Sequence, residues 1–200
     1  MHFSGPAIVC ASRPHGETAV IVRLLTERHG LIAGYLPGGR GRQLRPVLIP
    51  GNLVEAELKS RIDGQLPTAR IELLTSRGPW LAEPLPAAAI GWATALAAAA
   101  LPEHHGYPSL YSALCALLEA VCHAPSARGW LPGMVAYEAL VLRELGYGGG
   151  APPEMGPEWA DQLAAFDAMG LRIDRYLLAD RRTDVMGARA MLRQRLGRIG

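Results

Sequence analysis

Arg40, Arg42 and Arg45 are the residues of this chain whose type and spacing most suggest chemistry; they stand in the run PGGRGRQLRP at residues 37–46. A guanidinium presents a rigid fork of donors that fits phosphate or carboxylate oxygens in pairs. Glycines between such forks let the backbone approach an anion closely. Arg13, Arg61 and Arg70 belong to the same basic first part of the chain and extend the candidate track. The competing interpretation is a solvated polar hairpin that grips nothing.

Other reactive side chains are poorly arranged for catalysis. Glu103, His104 and His105 are adjacent in sequence, so successive side chains diverge and supply no metal-ligand spacing. His15 and Glu17 share a turn without a nucleophile beside them. Cys10, Cys115 and Cys122 are an odd number with no CxxC pair and read as small apolar residues. A GxSxG elbow, a GxxxxGK[ST] loop and an HExxH helix are all missing. The expectation is a binding protein and not an enzyme, with no catalytic residue, metal or cofactor.

The elements that must carry the arginines follow from charge and periodicity. Residues 1–80 hold ten Lys/Arg against six Asp/Glu, residues 81–150 two against five, and residues 151–200 eight against seven. A basic first segment beside a mildly acidic middle points to a nucleic-acid surface on the former. Period-two alternation runs through the same segment: Val54, Ala56 and Leu58 alternate with charged neighbours, as do Ala69, Ile71 and Leu73. Further strands are expected at residues 7–11, 18–26 and 30–36. Five short strands with a glycine-rich loop between the third and fourth predict a small closed barrel, with an OB-fold as the leading candidate and a partly open sandwich as the alternative. Beyond Pro86 the apolar period lengthens to that of a helix. Leu110, Leu114, Leu117, Leu118 and Val121 form one stripe; Val135, Ala139 and Leu142 a second; and Val185, Ala188, Leu192 and Leu196 a third, after the caps Thr183 and Asp184. The expected fold class is α+β, with an OB barrel at 1–80 and a helical domain at 81–200, the stretch 146–157 reading as a mobile connector. No run reaches the roughly 18 apolar residues of a membrane span, and the N-terminus lacks a signal-peptide pattern. A cytoplasmic location is the default expectation.

The run AIVCASRPHGETAVIVRLLTERHGLIAGYLPGGRGR, followed by LIPGNLVEAEL, resembles the start of the RecO family of bacterial recombination mediators. Its marks are Arg13 before a Pro-x-Gly-Glu turn, Leu25-Thr26-Glu27 leading to His29-Gly30, the Gly-x-Arg loop, and Pro50-Gly51-Asn52. The likeness continues through Leu101-Pro102-Glu103, Leu110-Tyr111 and Tyr137-Glu138 to Leu145-Gly146-Tyr147. The resemblance implies binding of single- and double-stranded DNA, annealing of complementary strands and partnership with RecR. It also implies contact with the tail of single-stranded-DNA-binding protein (SSB), through which RecA is loaded indirectly. An OB-type RNA-binding protein is the alternative. Many family members carry a four-cysteine zinc module after the Leu-Gly-Tyr position. Here no cysteine follows Cys122, so that module is absent by ligand count. Arg181, Arg182, Arg189, Arg193, Arg195 and Arg198 crowd the end of the chain. They are either a solvated helix face or the flank of an apolar groove for the acidic SSB tail, with Arg189 and Arg193 as the partner-binding candidates.

Overall fold

The computed structural model describes residues 2–60, 62, 64–148, 153–179 and 185–199. Five strands come first: β1 (His2–His15), β2 (Ala19–Thr26), β3 (Gly30–Leu36), β4 (Leu53–Lys59) and β5 (Thr68–Thr75). They close in the order β1-β2-β3-β5-β4. Every seam is antiparallel except β3–β5, which one parallel pair, Tyr35 with Thr68, holds. The result is a small OB-type barrel, partly open beyond that pair. β1 is much longer than the expected residues 7–11. A bulge between Val9 and Ala11 bends it, so that its first half pairs with β4 and its second with β2. Ala7 and Val9 face the barrel interior while Ile8 and Cys10 face the helices. Burial on both sides explains the unbroken apolar run AIVC.

Five helices follow: α1 (Pro84–Ala100), α2 (Pro108–His123), α3 (Leu131–Glu144), α4 (Trp159–Ile173) and α5 (Met186–Leu196). Proline sits in the first turn of α1, α2 and α3, where its missing N–H costs no helical bond. The expected caps Thr183 and Asp184, and part of the connector at 146–157, lie outside the described residues. α1 is buried on nearly all sides, and its alanines let β1, α2, α3 and α5 pack closely around it. Leu110, Leu114, Leu117, Leu118 and Val121 of α2 are buried as their spacing requires. No helix among the described residues is long and apolar enough to cross a membrane.

Two arginines, Arg23 and Arg77, fix the barrel to the helices, and Asn52 ties together the segments between. Arg23 of β2 donates to the carbonyl of Ala98 and pairs with Glu103 at 3.0 Å. Asn52 is fully buried: its amide donates to the carbonyls of Pro46 and Val47 at 2.8 and 3.0 Å, and its Oδ1 accepts from the Arg77 N–H at 2.7 Å. Arg77, itself buried, pairs with Glu119 of α2, which His123 also approaches at 3.2 Å. Arg77 holds the Glu119 carboxyl below the usual carboxylate range. A carboxyl lowered on folding stabilises the fold above its unfolded pKa, about 4.3, and loses that contribution as pH falls through the folded value. The group is half exposed, so the contribution stays below about 1 kcal/mol. Melting temperatures of the parent and Glu119→Gln should therefore differ at neutral pH and converge in acid. A gap that persists or widens below pH 4 would contradict the pairing.

Candidate nucleic-acid interface

The arginine-rich run is a lid across one end of the barrel. Leu48 is buried in the barrel core, and Leu44 and Val47 pack against it. Two of its glycines answer to local geometry: Gly38 has φ of 68°, and a Cβ on Gly39 would lie 2.8 Å from that of Val20. They are explained by the turn itself, before any ligand is considered. Arg40 fastens the lid to the β1–β2 turn: its backbone N–H reaches the Thr18 carbonyl at 3.0 Å, and its guanidinium donates to the carbonyls of Gly16 and Glu17 at 3.2 and 2.9 Å. Arg45 donates from Nε to the Arg40 carbonyl at 2.9 Å.

Arg13, at the far end of β1, lines a shallow depression together with Arg40 and Arg45. Arg42 is exposed at the turn. Among the described residues, none of these four arginines has a carboxylate partner, while Arg23, Arg77, Arg189 and Arg193 all do. Four unneutralised guanidinium groups at one end of a barrel make a strongly anion-attracting surface.

Strand register places a second feature next to them. Arg13 stands opposite Ile21, Ile21 opposite Tyr35, and Tyr35 beside Thr68. Directly paired residues share a face, so this row lies on the outside of β1, β2 and β3. The ring of His15 meets that of Tyr35 edge-on at 5.9 Å. The sequence-derived set omits Tyr35, His15 and Ile21. For Tyr35 the available signal is the alternation of β3, which points it outward just before the lid begins.

The remaining expected residues are dispersed. Arg70 is exposed on β5, opposite Glu57 of β4, and lines a different depression with Lys59. Arg61 lies outside the described residues, as do Arg181 and Arg182. Arg189 corrects the partner-binding expectation: it is only 4% exposed. Its Nε and Nη2 donate to the two oxygens of Glu138, each at 2.9 Å, and Nη2 also reaches the Phe166 carbonyl. Spacing along the chain does not reveal this partner, because Glu138 lies 51 residues away on α3. Arg193 is half-buried and paired with Asp167 at 2.6 Å.

The chemistry of the other reactive groups is subdued. Burial pushes the Cys10 thiol up to about 12 and also raises those of Cys115 and Cys122. Thiols so raised are poor nucleophiles at neutral pH. Among the described residues no group of three His, Cys, Asp or Glu side chains is placed to hold a metal ion.

The fold is an OB-type barrel backed by a helical unit, with arginines over one end that have no carboxylate partner among the described residues; OB-folds as a class include binders of oligonucleotides and of oligosaccharides. Comparison with known proteins narrows it. Residues 1–77 match the family described as recombination protein O N terminal, and residues 84–148 match recombination protein O C terminal. Relatives named DNA repair protein RecO include those of Rhodospirillum centenum, 42% identical over 149 residues, and Phenylobacterium zucineum, 41% identical over 150. That of Caulobacter vibrioides is 39% identical over 150 residues. In each case the match covers 74% of this chain and 58–60% of the relative. The chain thus spans less than two thirds of the length of these relatives. With both family regions present in order, the chain belongs to the RecO family.

Proposed function

We propose that this chain is a DNA repair and recombination mediator that binds single- and double-stranded DNA at the lid end of its barrel. The observation that carries the reading is the group Arg13, Arg40, Arg42 and Arg45, which has no carboxylate partner among the described residues. In OB folds the face of the second and third strands and the loop joining the first two are the usual oligonucleotide platform. Tyr35 lies on that face and Arg40 is tied to that loop. Phosphates would be neutralised by guanidinium forks, while a base could stack on Tyr35. Annealing follows from the same chemistry: strands whose charge is neutralised can approach closely enough to pair. By family membership, the reading extends to partnership with RecR and to loading of RecA on strands covered by SSB. In the proposed contact with the SSB tail, Arg193 is the candidate, since Arg189 is internal.

Arg13 and Arg42 are the residues to test, because neither holds the lid in place. Replacing both with alanine should leave the melting temperature unchanged. Log affinity for a labelled single-stranded oligonucleotide should become less salt-dependent, the slope shrinking by about 0.7 for each phosphate no longer neutralised. A folded double variant with the parental affinity and slope would remove DNA from this surface.

A further inference from the structure

Two exposed tyrosines stack on the helical half, and the backbone fixes both of them there. Leu145-Gly146-Tyr147 closes α3. Gly146 takes φ of 86°, its N–H donates to the Arg143 carbonyl at 3.0 Å, and the Tyr147 N–H donates to the Leu142 carbonyl at 2.8 Å. This is a Schellman cap, in which the side chain after the glycine commonly packs back on its own helix. Here Tyr147 stays 46% exposed and meets Tyr176, with ring centroids 5.8 Å apart and planes 21° from parallel. Tyr176 stands in one π-helical turn, Asp174–Leu178, that prolongs α4. Such turns are rare and are often found at functional sites. Widening the turn carries Tyr176 round the axis from where an α-helix would place it.

The charge beside the rings selects a ligand. Arg175 lies over the Tyr176 ring, 5.3 Å from its centroid, and has no carboxylate partner among the described residues. A nucleotide complements both features in one unit: its base stacks on an aromatic ring and its phosphate meets a guanidinium. A peptide side chain offers only one of the two at a time. Arg143 is paired with Glu144 at 3.5 Å, and Asp174 adjoins Arg175 in sequence. Net charge here is therefore small, and stacking is the main grip. The lid is the reverse case, with several arginines and one tyrosine near it.

The two places are far apart. Ser109 bonds Glu144 at 3.1 Å, and the loop before α2 is pressed on the turn at 26–30. The tyrosine pair thus sits toward the end of β2 and β3 away from the lid, and strands of this length span about 20 Å. We propose that Tyr147, Tyr176 and Arg175 form a second single-strand site, which takes a base by stacking while the lid holds another strand by charge. It rests on the DNA-binding reading of the chain, and it gives annealing two strands on one protein, gripped differently.

Titration of the 200-residue chain with an unstructured oligonucleotide too short to reach both places, read by sedimentation at several salt concentrations, tests this. The parent should bind two strands per chain, the weaker with a salt slope of no more than about 0.7, as for one phosphate. Replacing Tyr147 and Tyr176 with alanine should leave the first strand and its slope unchanged and weaken the second about tenfold or more. Replacing both with phenylalanine keeps the rings and should bind like the parent. Arg175→Glu alters only an exposed side chain, so it serves if the alanine pair does not fold; it should weaken the second strand similarly. Both weakened variants should anneal complementary strands more slowly. A folded R13A/R42A variant should show the converse, a weaker first strand and an unchanged second. A parent that binds no oligonucleotide overturns the DNA reading and this site with it. A parent that binds one strand per chain overturns the second site alone. So do folded variants at the tyrosines and Arg175 that take the second strand like the parent, which would leave the platform to a protein partner.

Discussion

Replacing Arg189 with alanine should destabilise the fold by about 3–5 kcal/mol, the cost of leaving a buried charge without its partner. Glu138 is fully buried and takes three donors: Nε and Nη2 of Arg189, and the indole N–H of Trp92 at 2.6 Å. Arg189 also lies over the Phe166 ring, 3.7 Å from its centroid. The pair therefore ties α1, α3, α4 and α5 at one point. Burial pushes the Glu138 carboxyl up, against the pull of Arg189 and Trp92. With Arg189 gone, only burial and one indole bond remain, and the carboxylate becomes costly to keep. The melting temperature should fall on the order of 10 °C. A double replacement, Glu138→Leu with Arg189→Met, removes both charges and should lose far less, because apolar substitutes of similar volume often match a buried pair. Thermal or urea melts of the parent, the single and the double variant decide this. Equal losses in single and double variants would mean that packing, and not charge pairing, dominates the site.

Gly30→Ala should be nearly as damaging. Gly30 has φ of 64°, and a Cβ there would sit 1.7 Å from the His105 carbonyl oxygen. That obstacle is backbone, held by the bond from the His104 N–H to the Leu31 carbonyl at 3.0 Å, and it cannot swing aside. The reciprocal contact is as tight: a Cβ on Gly106 would lie 2.3 Å from the Arg28 carbonyl oxygen. The turn at 26–30 and the loop before α2 are thus pressed main chain to main chain. A loss of about 3–5 kcal/mol is expected, at the upper end for single substitutions. Gly16→Ala is the control: its φ is 59° but nothing lies within 4 Å, so only the left-handed conformation is penalised, at about 1 kcal/mol. Equal melting temperatures for the two variants would show that the loops separate easily.

These two sites also show what could be read from the sequence. β3 was legible to the residue because its alternation is bounded by glycine and proline. The α2 stripe was legible because one helix face carries it entirely. β1 was not, since Gly5, Pro6 and Pro14 disguise its ends and only tertiary pairing keeps them extended. Leu73 follows the alternation, but β3 stops short of it and it stays 41% exposed. Arg189 looked like a surface charge, as arginine usually is; its burial depends on a carboxylate from another helix. The three lid arginines and Arg13 stand out by type and by the basic charge of their segment, whereas their shared end of the barrel comes from the fold. Four of the residues that carry the family resemblance are joints: Thr26 and Gly30 shape the pressed turn, Asn52 holds the lid, and Glu138 anchors the helices.

β1 is a common wall. Its side chains alternate between two compartments, Ala7 and Val9 into one, Ile8 and Cys10 into the other. Neither compartment can open without stripping the other of a lining, so the two are expected to exchange their amide protons as one cooperative unit. A ligand captured by the barrel then protects helices it never touches. Its binding free energy is shared across the wall, amounting to about 2.7 kcal/mol of added stability when the free ligand is at a hundred times its Kd.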